Sequence, residues 1–230
     1  MSKSKLASLE KNITYAEKAY HELKRLIIYN RIKPRTVLNE RELADQLGVS
    51  RTPVRDALQL LENEGWIEKD GKNKIVSPFT KEDVASIIEI RLPLEMLVLD
   101  LVKDKLQDAH VDHLESLIGE MKEIIADEEM ELPSYLEKDI EFHTYMAEVT
   151  GNHRLARFYN NMIEQLFRAA LIGMEYNYTN PQSRTEEHEM LLACYKSRDL
   201  EQAKRLLVPH IQKWADGVMK NYDRWSVERE

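Results

Sequence analysis

The chain has 230 residues, 43% hydrophobic and 32% charged, so it can bury a real core in one large domain or two modest ones. Only seven glycines and seven prolines interrupt it, which favours helices over a sandwich or barrel, and its one cysteine, Cys194, excludes an intrachain disulfide and fits a reducing compartment. The net charge of −8 divides unevenly: residues 1–80 carry 15 Lys+Arg against 11 Asp+Glu, and residues 81–230 carry 18 against 30. A basic first part joined to an acidic remainder points to a polyanion partner for the first part alone. No stretch approaches the length of a membrane-spanning helix and no signal-peptide core opens the chain, so the expected setting is cytoplasmic, with no membrane partner.

Residues 1–14 read as a flexible tail. From Tyr15 to Asn30 the apolar residues Ala16, Ala19, Leu23, Leu26 and Ile27 keep a helical rhythm, which Lys33-Pro34 breaks. Asn39, with Glu42 three residues on, caps a short helix through Leu47. Gly48-Val49 turns the chain, and Ser50 caps a second helix that tolerates Pro53 in its first turn and runs to about Glu64. Two short helices joined through "LGVS" predict a helix-turn-helix, whose second helix enters the major groove of DNA by its N-terminal end. Arg51, Thr52 and Arg55 lie on the exposed first turns, opposite a stripe of Val54, Ala57, Leu58 and Leu61. Arginine forks suit guanine O6 and N7, and Thr52 at a helix N-terminus suits a phosphate. "GWIEKDGKNKIVSPF" then reads as two strands, Trp66–Glu68 and Lys74–Ser77, around Asp70-Gly71, with Lys72 and Lys74 at the tip.

"LNERELADQLGVSRTPVRDALQLLENEGWI" resembles the winged-helix DNA-binding domain of the GntR family of bacterial transcription regulators, over about residues 15–78. The resemblance implies that Arg41, Arg51 and Arg55 read bases and that the wing tip near Gly71 enters the minor groove. Arg35 stands where many members have glycine, and the wing "DGKNK" lacks the family's second glycine.

Beyond Thr80 the pattern is helical almost to the end, with helices expected at about 81–105, 108–130, 134–149, 153–176, 182–197 and 199–223. Thr80, Ser134 and Asp199 read as caps, Pro133 as a break, Gly151-Asn152 as a stop and restart, and Pro181 as a first-turn residue. Pro93 and Pro209 fall inside helical patterns and are expected to kink them. The fold class is therefore mostly α: a winged helix-turn-helix at 15–78, then an antiparallel all-α bundle of about six helices at 79–230.

In that bundle "DIEFH" places Asp139 and His143 at i and i+4, on one helix face and within reach of one cation. On its own the pair is more often solvated surface. His188 in "EEHEMLLACY" and His210 in "AKRLLVPHIQKW" sit beside apolar residues that face a core. Three imidazoles and a carboxylate suit Zn²⁺ first, with Ni²⁺ or Mn²⁺ as alternatives. The spacing also resembles the FCD ligand-binding domain of the FadR subfamily of GntR regulators, over about residues 81–222. That resemblance implies Asp139, His143, His188 and His210 as metal ligands, a small organic carboxylate as effector, and Arg91 in "EIRLPLE" as its anchor. The competing reading of Arg91 is a surface ion pair with Glu95. Arg184, one turn before His188, is a second candidate for the pocket, whereas His21, His110, His113 and His153 read as surface. The whole predicts a metabolite-responsive regulator, a homodimer on a palindromic operator in double-stranded DNA. The alternatives are a metal-dependent hydrolase or lyase and a regulator whose metal is purely structural.

Overall fold

The computed structural model describes residues 13–175 and 180–227, so the tail expected at 1–14 lies almost wholly outside the described residues. Two compact units divide the chain, meeting between Pro78 and Phe79.

In the first unit, α1 (Tyr15–Ile28), α2 (Glu40–Leu47) and α3 (Arg51–Asn63) precede a hairpin of β1 (Ile67–Asp70) and β2 (Asn73–Val76). Thr14, placed above with the tail, instead caps α1. Its hydroxyl accepts from the Glu17 amide while the Glu17 carboxylate accepts from the Thr14 amide, so two first-turn donors are satisfied reciprocally. Between α2 and α3, Gly48 takes φ 66°, the left-handed conformation that glycine adopts without a Cβ penalty. Arg35 also sits left-handed, at φ 62°, which explains why a glycine suits that position. The strands pair antiparallel with Ile67 opposite Val76 and Asp70 opposite Asn73, one or two residues from the expected bounds. Residues 35–38 run along the outer side of β2 through a Val37–Ile75 bridge, an addition the alternation pattern did not announce. Leu23, Ile27, Ala44, Val54, Ala57, Leu58, Leu61, Ile67 and Val76 close one small core.

Among the described residues the second unit is a bundle of six helices: α4 (Lys81–Val102), α5 (Asp108–Ala126), α6 (Leu132–Val149), α7 (His153–Glu175), α8 (Pro181–Ser197) and α9 (Leu200–Val227). Among the described residues no helix is long and apolar enough to cross a membrane. Thr80 caps α4 with a reciprocal Asp83 contact, Asn152 accepts from the Arg154 and Leu155 amides, and Asp199 accepts from the Gln202 amide. Ser134 is not a cap: α6 starts two residues earlier, after Glu131, with Pro133 in its first turn, where a missing N–H costs nothing. Helices α4 and α9 carry Pro93 and Pro209 inside their spans and continue past both. α6 packs against α4, α5 and α7, and α8 packs against α5 and α9. The side chains that α6, α8 and α9 turn inward therefore share one interior with those of α4.

Candidate functional site

The first candidate surface is the N-terminal end of α3. Val54, Ala57, Leu58 and Leu61 are buried, which forces Arg51, Thr52 and Arg55 outward on the opposite face. Ser50 has the extended backbone of a cap, but its side chain accepts nothing from the first turn. Arg41 is exposed on α2. Arg55 is not idle: its Nη2 lies 3.2 Å from the Glu40 carboxylate of α2, with both side chains partly in water. At the wing, Gly71 has φ 60° and Lys72 is exposed. Lys74, expected at the tip with Lys72, is instead drawn back to Glu62 at 2.7 Å and is only 19% exposed. The pairing register puts it inside the strand, so its amine meets α3 rather than solvent.

The second candidate site is assembled by helices far apart in sequence. α6 supplies Asp139 and His143, α8 supplies Arg184 and His188, and α9 supplies His210; all five are buried. One ring nitrogen from each histidine lies within 4.8 Å of the others. His143 Nε2 stands 3.2 Å from His188 Nε2 and 3.2 Å from His210 Nε2. Asp139 is one step removed from this cluster. Its carboxylate accepts from Arg184 Nε at 2.8 Å and lies 3.5 Å from His188 Nε2. Arg184 also donates to His210 Nε2 at 3.1 Å, since a guanidinium has no acceptor to offer. Burial opposes ionisation of Asp139, but Arg184 beside it holds the carboxyl well below the usual carboxylate range. Burial also pushes His188 down to about 3, against the pull of Asp139, and His210 well below its ordinary value. These two imidazoles are therefore neutral at pH 7, the form that binds metals.

Arg91 reaches the same interior but is committed there. Its Nε donates to Glu95 at 2.8 Å and its guanidinium lies 4.3 Å from the Trp214 ring centroid. The i,i+4 pair with Glu95 thus exists, yet it is buried, at 3% and 6% exposure, not a surface contact. Glu95 turns its other oxygen to His143 Nδ1 at 2.7 Å and accepts from the Tyr159 hydroxyl at 3.0 Å. Burial raises the Glu95 carboxyl, but His143 and Arg91 beside it outweigh this and hold it at about 2. Glu187 of α8 plays the same part for His210, with Oε2 2.8 Å from Nδ1 and Oε1 2.6 Å from Lys213. Sequence reasoning gave neither glutamate a role at the site. The one available signal was a carboxylate set within the apolar run "RLPLEMLVL", which a buried helix face carries only when that carboxylate is paired. The other histidines stay outside: His21 and His153 are exposed, and His110 and His113 half-buried.

A family model described as "Bacterial regulatory proteins, gntR family" matches residues 15–74, and one described as "FCD domain" matches residues 86–213. The chain belongs to the GntR family, with an FCD domain behind its winged helix. As a GntR protein it is a DNA-binding transcription regulator, which removes the hydrolase or lyase reading. The HTH-type transcriptional regulator YdhC of Bacillus subtilis (strain 168) is 30% identical over 208 residues, covering 88% of this chain and 90% of that protein. The gluconate operon transcriptional repressor of the same organism is 27% identical over 227 residues, covering 96% and 90%. Among solved structures, E. coli McbR/YncC shares the fold with a TM-score of 0.72 at 24% identity, over 92% of this chain and all of that one. The Zn²⁺-bound FCD domain of TM0439, described as a putative transcriptional regulator, shares it over 64% of this chain and 98% of that one, with a TM-score of 0.51 at 19% identity.

Proposed function

We propose that this GntR regulator senses a small organic carboxylate through a divalent metal, zinc before nickel or manganese, held in its FCD domain. The observation that carries the reading is the meeting of three buried imidazoles on one point. Their donor set suits a borderline cation. Arg184 can only donate to His210 Nε2, which therefore presents its lone pair, and Glu95 can only accept from His143 Nδ1, which leaves a lone pair on Nε2 when that ring is neutral. Two ring nitrogens at 3.2 Å are joined either by a proton or by a metal cation between them, and the distance suits both. His143, His188 and His210 would hold the ion, with Asp139 beside His188 as the carboxylate ligand once Arg184 yields it. When bound, the ion would offer its open positions to a carboxylate as a Lewis acid. The zinc in the related domain of TM0439 and the gluconate operon repressor among the relatives support this choice of ligand class.

Arg91 and Arg184 supply the cationic wall on which the second end of an organic acid would rest. The cavity beside Glu95, His143, Tyr195 and Leu207 is about 10 Å³, room for a single water. An acid entering this cavity would have to move its lining side chains, and a ligand that binds one arrangement better than another shifts the population between them. At the operator, a homodimer would set Arg41, Arg51 and Arg55 on bases, Thr52 on phosphate, and Gly71 with Lys72 near the minor groove of each half of a palindrome. The one competitor is a metal that is only structural.

Elemental analysis of the full chain purified without chelators, repeated on His188→Ala, tests the site; the expected result is near one metal per wild-type chain and loss in the variant. Metal-loaded and chelated protein are then melted against a panel of small organic acids. An acid that raises Tm only when metal is present supports the sensor, and stabilisation by none of them leaves the structural metal. A wild-type chain free of metal overturns the proposal at its root.

A further inference from the structure

Glu95 on α4 and Glu187 on α8 touch the site from outside the ligand set, and they are built alike. Each gives one carboxylate oxygen to the Nδ1 of a clustered histidine, at 2.7 Å for His143 and 2.8 Å for His210. Each has its second oxygen fixed by other donors, so the first cannot swing away. Arg91 and Tyr159 hold Glu95 Oε1 at 2.8 and 3.0 Å, and Lys213 holds Glu187 Oε1 at 2.6 Å. A carboxylate is acceptor only, so in a neutral imidazole it keeps the proton on Nδ1 and leaves Nε2 as a lone pair turned to the centre. His188 lacks such a carboxylate: a backbone hydrogen bond to Arg184, one turn earlier on α8, takes that place. The cluster is therefore two imidazoles oriented by carboxylates and one that is not.

We infer that Glu95 and Glu187 are positioning residues of the metal site, each locking one ligand histidine in its Nδ1–H tautomer so that Nε2 faces the ion. This rests on the metal reading above and adds what sets the affinity. Because Glu95 also binds Arg91, an anion that draws Arg91 away would loosen the hold on His143. The anchor predicted for the effector and one metal ligand thus share a single carboxylate.

Glu187 lies at the edge of the bundle, 23% exposed, so its variants test the inference without emptying the core. Long-range ¹H–¹⁵N correlation of the chelator-treated full chain reads the tautomers directly. The wild type is expected to show Nδ1–H for His143 and His210. Zn²⁺ competition against a chromophoric chelator then reads affinity. Glu187→Ala should mix the His210 tautomers and weaken Zn²⁺ by about 10–100-fold. Glu187→Gln, which keeps an acceptor, should recover part of both, and Glu95→Gln should do the same to His143. Wild-type tautomers and a Zn²⁺ affinity within about threefold of wild type in Glu187→Ala overturn the inference, whether or not Glu95→Gln folds. A wild-type chain that takes up no Zn²⁺ overturns the metal reading instead, and the two failures are distinct.

Discussion

Replacing Arg55 by alanine removes a side chain that leans on Glu40 at 3.2 Å with 64% of its own surface in water. An ion pair so exposed contributes about 0–1 kcal/mol, so freeing the guanidinium for a base costs little. A bidentate arginine–guanine contact discriminates by about 1–3 kcal/mol, and two half-sites double that to about 2–6 kcal/mol, roughly 30-fold to 10⁴-fold in affinity. The assay takes a duplex selected by the wild-type chain from random sequence and follows fluorescence anisotropy at several salt concentrations, with melting curves as the folding control. Loss of a base contact should relax sequence preference at one position of each half-site and leave the salt slope unchanged, whereas loss of a phosphate contact should lower the slope by about one per half-site. Glu40→Gln, which releases Arg55, should leave binding unchanged or tighten it by up to about fivefold. Arg55→Ala binding the selected duplex as tightly as wild type would refute the assignment of the α3 N-terminus as the reading head.

Two further outcomes concern the bundle. Arg184→Ala leaves the Asp139 carboxylate buried without its strongest partner and should cost about 3–5 kcal/mol in urea unfolding. Adding Asp139→Asn should recover much of that, since the loss comes from an unpaired charge; a loss below about 1 kcal/mol in the single variant contradicts this account. Gly173→Ala would set a Cβ 3.0 Å from Val218 Cγ2, where α7 crosses α9. Val218 is β-branched and fully buried, so it cannot turn aside, and the variant should lose about 1–3 kcal/mol. Helix propensity alone predicts a gain of about 1 kcal/mol, so a stabilised Gly173→Ala would show that the close approach is not there.

The winged helix was readable because its determinants are local. Gly48 must be left-handed at the turn, the α3 stripe from Val54 to Leu61 is a 3.6-residue repeat, and Gly71 marks the hairpin. Local rules failed where a second interaction competed. Ser134 lost the capping position because Pro133 is at ease in a first helical turn, and Lys74 lost the wing tip because Glu62 of α3 lay within reach. In the bundle, i,i+4 spacing paired Asp139 with His143 on one face, and burial of both follows from the apolar neighbours on that face. The spacing could not foresee that Arg184, itself at i−4 from His188, would take the Asp139 carboxylate. Nor could it say whether Arg91 and Glu95 pair in water or in the core, because spacing along one helix is blind to what packs on it.

The amino-acid sequence by itself determined the main elements, their order, the exposed arginines of α3 and the three histidines turned toward a core. Those follow from periodicity, capping and turn chemistry, which act over a few residues. Only the tertiary structure decided that the histidines of α6, α8 and α9 meet nitrogen to nitrogen, and that Glu95 and Glu187 close on their far sides. Such contacts join residues 23 to 67 positions apart, where helix packing alone sets a distance to within an ångström.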